Sequence, residues 1–154
     1  MGRGFSLIEL VVVVVLIGII AVIAIPRLTR GASHSGEAAL RSDLDVLRRS
    51  IELYRAEHGG NYPTVGSFVS QMVSFSDLSG SSFSSTADSA GGIVYGPYLQ
   101  AIPPLPIGEK KGKTAVATNH GATTAWCYGE SPGHIHAATP GVELDADGVK
   151  YSDY

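Results

Sequence analysis

At 154 residues, with a formal net charge of −3 and one cysteine, the chain has room for one membrane-length segment and one small globular domain. The lone Cys127 excludes an intrachain disulfide, and the mild, unclustered acidity argues against an obligatory nucleic-acid partner. Basic pairs such as Arg48-Arg49 and Lys110-Lys111 read as solvated surface.

In chain order, the first feature is an apolar run over residues 5–25 in which Glu9 is the only ionisable side chain. As a helix rising about 1.5 Å per residue, the run is long enough to cross a hydrocarbon core roughly 30 Å thick. A secretory signal peptide would use Arg3 as its basic region. It fits poorly, because Ala21 and Ala24 are spaced A-x-x-A, the run is longer than such signals need, and Glu9 interrupts it. A plain membrane anchor accounts for the length but not for the carboxylate, which costs about 2.5 to 3.5 kcal/mol unpaired at a bilayer centre. Arg3 lies on one side of the run and Arg27 and Arg30 on the other, so flanking charge does not set the orientation.

Past Pro26 the pattern becomes amphipathic. Leu40, Leu44, Leu47, Ile51 and Tyr54 recur at spacings of four, three, four and three, which is one helical stripe, and charged residues fill the other faces. Gly59-Gly60 and then Pro63 stop this helix. Pro26, Gly31 and Gly36 weaken its middle, so bending or local unwinding is expected between Gly18 and Gly36.

The stripe needs a cover, and the rest of the chain supplies short strands, so an α+β domain with a small antiparallel sheet is expected. Phe68, Val69, Met72 and Val73 suggest a short amphipathic helix, and residues 79–92, rich in Ser and Gly, an exposed loop. Candidate strands are residues 93–95, Val116, residues 126–128, 135–137 and 149–151. Gly96-Pro97-Tyr98-Leu99 and Pro103-Pro104-Leu105-Pro106 form an extended connector between the first two. Residues 129–133 read as a hairpin loop and Asp147-Gly148 as a turn.

No catalytic constellation stands out. His134 and His136 share one strand face at a spacing that could ligate a metal, but with no Cys or carboxylate beside them they read first as a solvent-facing strand. His34, His58 and His120 lie in polar contexts. Cys127, between Trp126 and Tyr128, reads as a small core residue with no base beside it. Asp145-Ala146-Asp147-Gly148 has the alternating carboxylates and glycine of a calcium loop but not the rest of an EF-hand, so a hairpin turn is its plainer use.

The stretch Gly4-Phe5-Ser6-Leu7-Ile8-Glu9-Leu10, with Arg3 before it and Gly18 and Pro26 after it, resembles the N-terminal signal of type IV prepilins and type II secretion pseudopilins. The resemblance implies cleavage by a prepilin peptidase between Gly4 and Phe5 and methylation of the new Phe5 amine. It also implies a mature carboxylate, Glu9, that meets the Phe5 amine of a neighbouring subunit. Such a pairing would satisfy two costly charges and set the axial register. Gly18 and Pro26 match the family's helix-breaking pair, and the helix between them often loses order in filaments. Implied boundaries are a leader over residues 1–4, a transmembrane and filament-core helix over 5–26, an amphipathic helix over 27–58 and a globular head over 59–154. The implied fold is the pilin-like one, a long helix on a small sheet.

The implied function is structural, not enzymatic: a subunit that waits in the bacterial inner membrane, N-terminus in the cytoplasm and head outside. It polymerises with copies of itself and related minor subunits through an assembly platform driven by a separate ATPase. Tyr54, Gly60, Tyr62-Pro63-Thr64, Gly96-Pro97-Tyr98-Leu99 and Ile102-Pro103 resemble the major, G-type pseudopilin of type II secretion. That family binds calcium in a C-terminal loop, which points to Asp145, Asp147 and Asp153 here; no other cofactor is implied. The chain departs from it at Pro106-Ile107-Gly108-Glu109, where a Pro-Trp-Gly-Asn-Pro-like segment is usual, and its Trp126 hairpin occurs in other pilin-like proteins. A pilin of a surface pilus serving adhesion, motility or DNA uptake is the alternative.

Overall fold

One helix, α1, occupies Leu7–Glu57, a third of the chain at 51 residues. The computed structural model describes residues 6–141, 143–145 and 147–154, with the helical backbone alone for residues 23–33. Two units divide the chain, Met1–Ser35 and Gly36–Tyr154. Backbone helix is continuous through Gly18, Pro26, Gly31 and Gly36, so the expected unwinding is not present. A proline inside a helix removes one backbone hydrogen bond at a local cost of about 3 kcal/mol, and the apolar and basic residues around it are adequate helix formers.

Within the second unit, the stripe Leu40, Leu44, Leu47, Ile51 and Tyr54 is at most 1% exposed. Gly36 continues that close packing, because a Cβ there would run into the Ile107 side chain. The helix ends where Gly59, with φ +66°, takes the left-handed conformation that favours glycine. The Gly60 N–H then donates to the Arg55 carbonyl at 2.9 Å, the six-to-one bond of a Schellman ending. His58 sits at this corner and is 1% exposed rather than in a polar setting. Its ring stacks on Tyr54 at 3.7 Å between centroids, and its nitrogens reach the Tyr54 carbonyl at 2.9 Å and the Ser76 hydroxyl at 3.0 Å.

After α1 comes a single 3-10 turn, Val65–Ser67, and the short helix α2, Phe68–Val73, with Phe68 and Met72 buried. The strands β1, Phe75–Ser76, and β2, Phe83–Ser84, form a small antiparallel ladder that the sequence reading misses. Two-residue strands are too short to show alternation. What holds their turn is Asp77, whose carboxylate accepts from Ser79 Oγ at 2.6 Å and from the Ser81 and Ser82 N–H groups at 2.9 and 3.0 Å. Residues 93–95 make only isolated bridges, Asp88 to Ile93 and Ser76 to Tyr95, in place of the expected strand.

The main sheet has the order β3–β4–β5, with β3 at Ala115–Ala117, β4 at Thr124–Gly129 and β5 at His134–Ala137. β4 and β5 form the expected antiparallel hairpin, pairing Trp126 with Ala137 and Cys127 with His136. β3 pairs with β4 in parallel, however, so the sheet is mixed rather than antiparallel. Three residues span only about 10 Å, and the link over residues 118–123 is long enough to retrace that distance without a helical crossover. Residues 149–151 form no strand either: Lys150 bridges Leu144, and Tyr151–Asp153 is a 3-10 turn.

β4 is buried over residues 124–128 and sits at the centre of the sheet. Trp126 and Tyr128 join the cluster around the α1 stripe. Their polar ends are satisfied by the connectors, Trp126 Nε1 donating to the Pro103 carbonyl at 2.9 Å and the Tyr128 hydroxyl to that of Pro63 at 2.9 Å. Truncating Leu47 should therefore be costly. Leu47→Ala is expected to lower unfolding free energy by about 2–5 kcal/mol in denaturant titration, with Leu53→Ala, at a position 51% exposed, close to neutral.

Candidate processing and assembly segment

The first turn of α1 has a defined start. Glu9 Oε2 accepts the Ser6 backbone N–H at 2.9 Å, and the Leu10 N–H donates to the Ser6 carbonyl at 3.2 Å. Serine followed three residues later by glutamate is the capping-box pattern, with the glutamate reaching back to the cap residue. The negative charge also lies at the end of the helix where the macrodipole favours it. This local role for Glu9 is carried by the spacing Ser6-x-x-Glu9, a signal separate from the carboxylate's cost in a membrane.

Every large apolar side chain over residues 7–22 is exposed, from 79% at Leu7 to 46% at Val13. Among the described residues, Gly18 has nothing within 4 Å of where a Cβ would stand. Pro26 lies within the helical backbone of α1. Gly4 and Phe5 lie outside the described residues. Among the described residues, no helix is long and apolar enough to cross a membrane.

Residues 2–25 match the family described as the prokaryotic N-terminal methylation motif. The chain carries a type IV pilin-like prepilin signal. No curated protein and no solved structure matches the chain significantly. The signal covers Glu9 and Gly18 and the apolar run that the chain leaves uncovered. The chain as a whole is α+β, with a long N-terminal helix and small sheets, an arrangement consistent with a pilin-like fold.

In the head, the acidic turn near residue 145 is built by Asp145. Its Oδ1 accepts the Asp147 and Val149 N–H groups, both at 2.8 Å. Its Oδ2 accepts the Tyr154 hydroxyl and stands 3.8 Å from the Arg41 guanidinium, which also hydrogen-bonds Tyr154 Oη at 2.9 Å. Arg48 donates to the Tyr154 carbonyl and, at 3.3 Å, to that of Ile135, which ties the final segment to α1 and β5. Calcium at Asp145 would have to displace the tyrosine hydroxyl and face an arginine, so the arrangement does not fit the ion. Asp147 is exposed beside this turn and Asp153 closes the last 3-10 turn.

Cys127 has histidines beside it after all: the antiparallel register sets His136 opposite, and the ligand atoms of His120, Cys127 and His136 lie within 4.8 Å of one another. His136 is half-buried rather than solvent-facing, and burial, then the neighbouring His120, pushes its pKa down. Burial pushes the Cys127 thiol up, against a smaller opposing effect of Lys110, which does not favour a nucleophilic thiolate. Period-two alternation places Cys127 and His136 on one face, but their pairing depends on a hairpin register that the sequence alone does not number.

The Tyr154 hydroxyl is the main cause holding the Asp145 carboxyl below its ordinary range, with the two N–H groups and Arg41 adding to it against desolvation. A depressed carboxyl stabilises the fold above the unfolded-state pKa of about 3.9, and that contribution is lost as pH falls through the folded-state value. Tyr154→Phe should therefore shift the acid-unfolding midpoint, followed by circular dichroism, to higher pH, while Asp147→Asn leaves it nearly unchanged.

Proposed function

We propose that this chain is a structural subunit of a type IV pilus-like filament, and in particular a pseudopilin of a type II secretion system. The observation that carries the reading is the methylation motif lying on a helix start whose large apolar side chains over residues 7–22 are all exposed. An apolar surface that encircles a helix has to be buried against lipid or other helices. In this reading it is covered twice, by the inner membrane before assembly and by neighbouring subunits after it. The head then stands outside the inner membrane and the N-terminus in the cytoplasm.

Maturation follows from the signal. A prepilin peptidase cuts between Gly4 and Phe5 and methylates the Phe5 amine, and an inner-membrane assembly platform extracts the subunit. Glu9 then serves two donors, its own Ser6 N–H and the Phe5 amine of a neighbour. Gly18, with nothing within 4 Å of a Cβ position among the described residues, provides a place for a second helix to approach closely. Copies of the chain and related minor subunits are the partners.

A pilin of a surface pilus is the second reading, and a specific observation favours keeping it. The Asp145 turn is closed by Tyr154 and Arg41, unlike the calcium loop expected of a major pseudopilin.

Co-expression with a prepilin peptidase should yield a chain lacking Met1 to Gly4 and carrying one methyl group on Phe5, read by intact mass and N-terminal sequencing. An intact leader, or cleavage near Ala24, would sink the proposal. Glu9→Gln keeps a carbonyl acceptor for the Ser6 N–H but loses the charge. Helicity and membrane association should therefore persist while filament yield drops, and normal filaments from that variant would contradict the pairing role.

A further inference from the structure

Three neighbouring elements bring metal-ligating side chains to one face of the main sheet. His120 follows β3, Cys127 is the buried fourth residue of β4, and His136 is its cross-strand partner on β5. Cys127 alternates with Trp126 and Tyr128, so it turns away from the α1 stripe toward the other face of the sheet. There the imidazoles of His120 and His136 lie 5.7 Å apart between centroids, and one ligand atom from each of the three residues falls within 4.8 Å of the others. Donors around a tetrahedral zinc, at about 2.0–2.3 Å from the ion, are separated by about 3.4–3.6 Å. His120 is exposed, so its side chain has room to turn toward the other two.

A second observation points to a ligand at the same place. His120 and His136 line an open recess together with Thr139 and Asp153. Thr139 is 1% exposed, and its hydroxyl has no hydrogen-bond partner among the described residues. A buried hydroxyl left without a partner is unfavourable, and a water held in the recess would relieve it. A metal ion on the three donors would hold such a water in its fourth position.

We propose that His120, Cys127 and His136 bind one divalent ion of the zinc class, with the fourth coordination position open to the recess beside Thr139. Two imidazoles and one thiolate form a borderline-soft donor set that suits zinc and disfavours calcium or magnesium. On binding, the Cys127 thiol gives its proton to solvent and the sulfur forms the metal bond, leaving a net charge of +1 at the site that Asp153 faces across the recess. The ion would cross-link β3's following loop, β4 and β5. Bound there, the ion would tie these elements together on the face of the sheet turned away from α1.

The test uses the untagged full-length chain in detergent. Zinc should bind at one equivalent per chain and raise the unfolding temperature, and cobalt(II) should give the thiolate-to-metal charge-transfer absorption of a cysteine-ligated site. Cys127→Ser should abolish that absorption. His120→Ala, at an exposed position that leaves the fold intact, should weaken zinc binding by at least about tenfold, since losing an outer-shell contact alone costs about 10–100-fold. His134→Ala, two residues along β5 and outside the cluster, should bind as the parent does. Absence of the charge-transfer band in the parent chain, zinc binding unaffected by His120→Ala, or loss of binding in His134→Ala would each overturn the assignment.

Discussion

The head depends on the contact between the α1 stripe and β4. Leu40, Leu44, Leu47, Ile51 and Tyr54 meet Trp126 and Tyr128, and all seven are at most 1% exposed. Large aromatics supply most of the buried area in such a core, but each carries a polar end that must be paired. Here the partners are carbonyls of proline residues, Pro63 just after the helix and Pro103 in the connector. Two segments without regular structure are thereby pinned to the central strand, and the sheet is positioned on the helix by hydrogen bonds as well as by apolar contact. Phe68 adds to this, its ring 4.6 Å from that of Tyr128.

The two parts of α1 illustrate opposite solutions to one problem. Residues 40–54 carry apolar side chains on a single stripe, and the chain covers that stripe itself. Residues 7–22 carry them on every face, and each large one is exposed. A periodic pattern can be satisfied within one molecule, whereas an apolar surface all the way round demands surroundings that the molecule does not supply. That contrast, together with the methylation motif, is what supports the proposed filament subunit.

The elements legible in the sequence were those with a strong period or a strong terminator. The stripe, its glycine ending, α2 and the β4–β5 hairpin follow from spacing and turn chemistry. What escaped was set by contacts between distant residues. The parallel pairing of β3 depends on how a six-residue link folds back, and the two-residue ladder β1–β2 on how Asp77 gathers three donors. Residues 149–151 have the composition of a strand, but the clasp of Tyr154 by Arg41, Arg48 and Asp145 draws the segment into a 3-10 turn against α1. In the same way, His120 lies 16 residues from His136, and only the folded sheet shows that they face Cys127 together.

The Ser6–Glu9 cap lies wholly downstream of the Gly4–Phe5 junction. Removing a leader at that junction would take away none of the atoms that start the helix. The mature chain would inherit its helix start ready-made, with a fresh positive charge one residue before the cap and one turn from the carboxylate. Capping geometry and proteolytic maturation at that junction would thus be compatible by position.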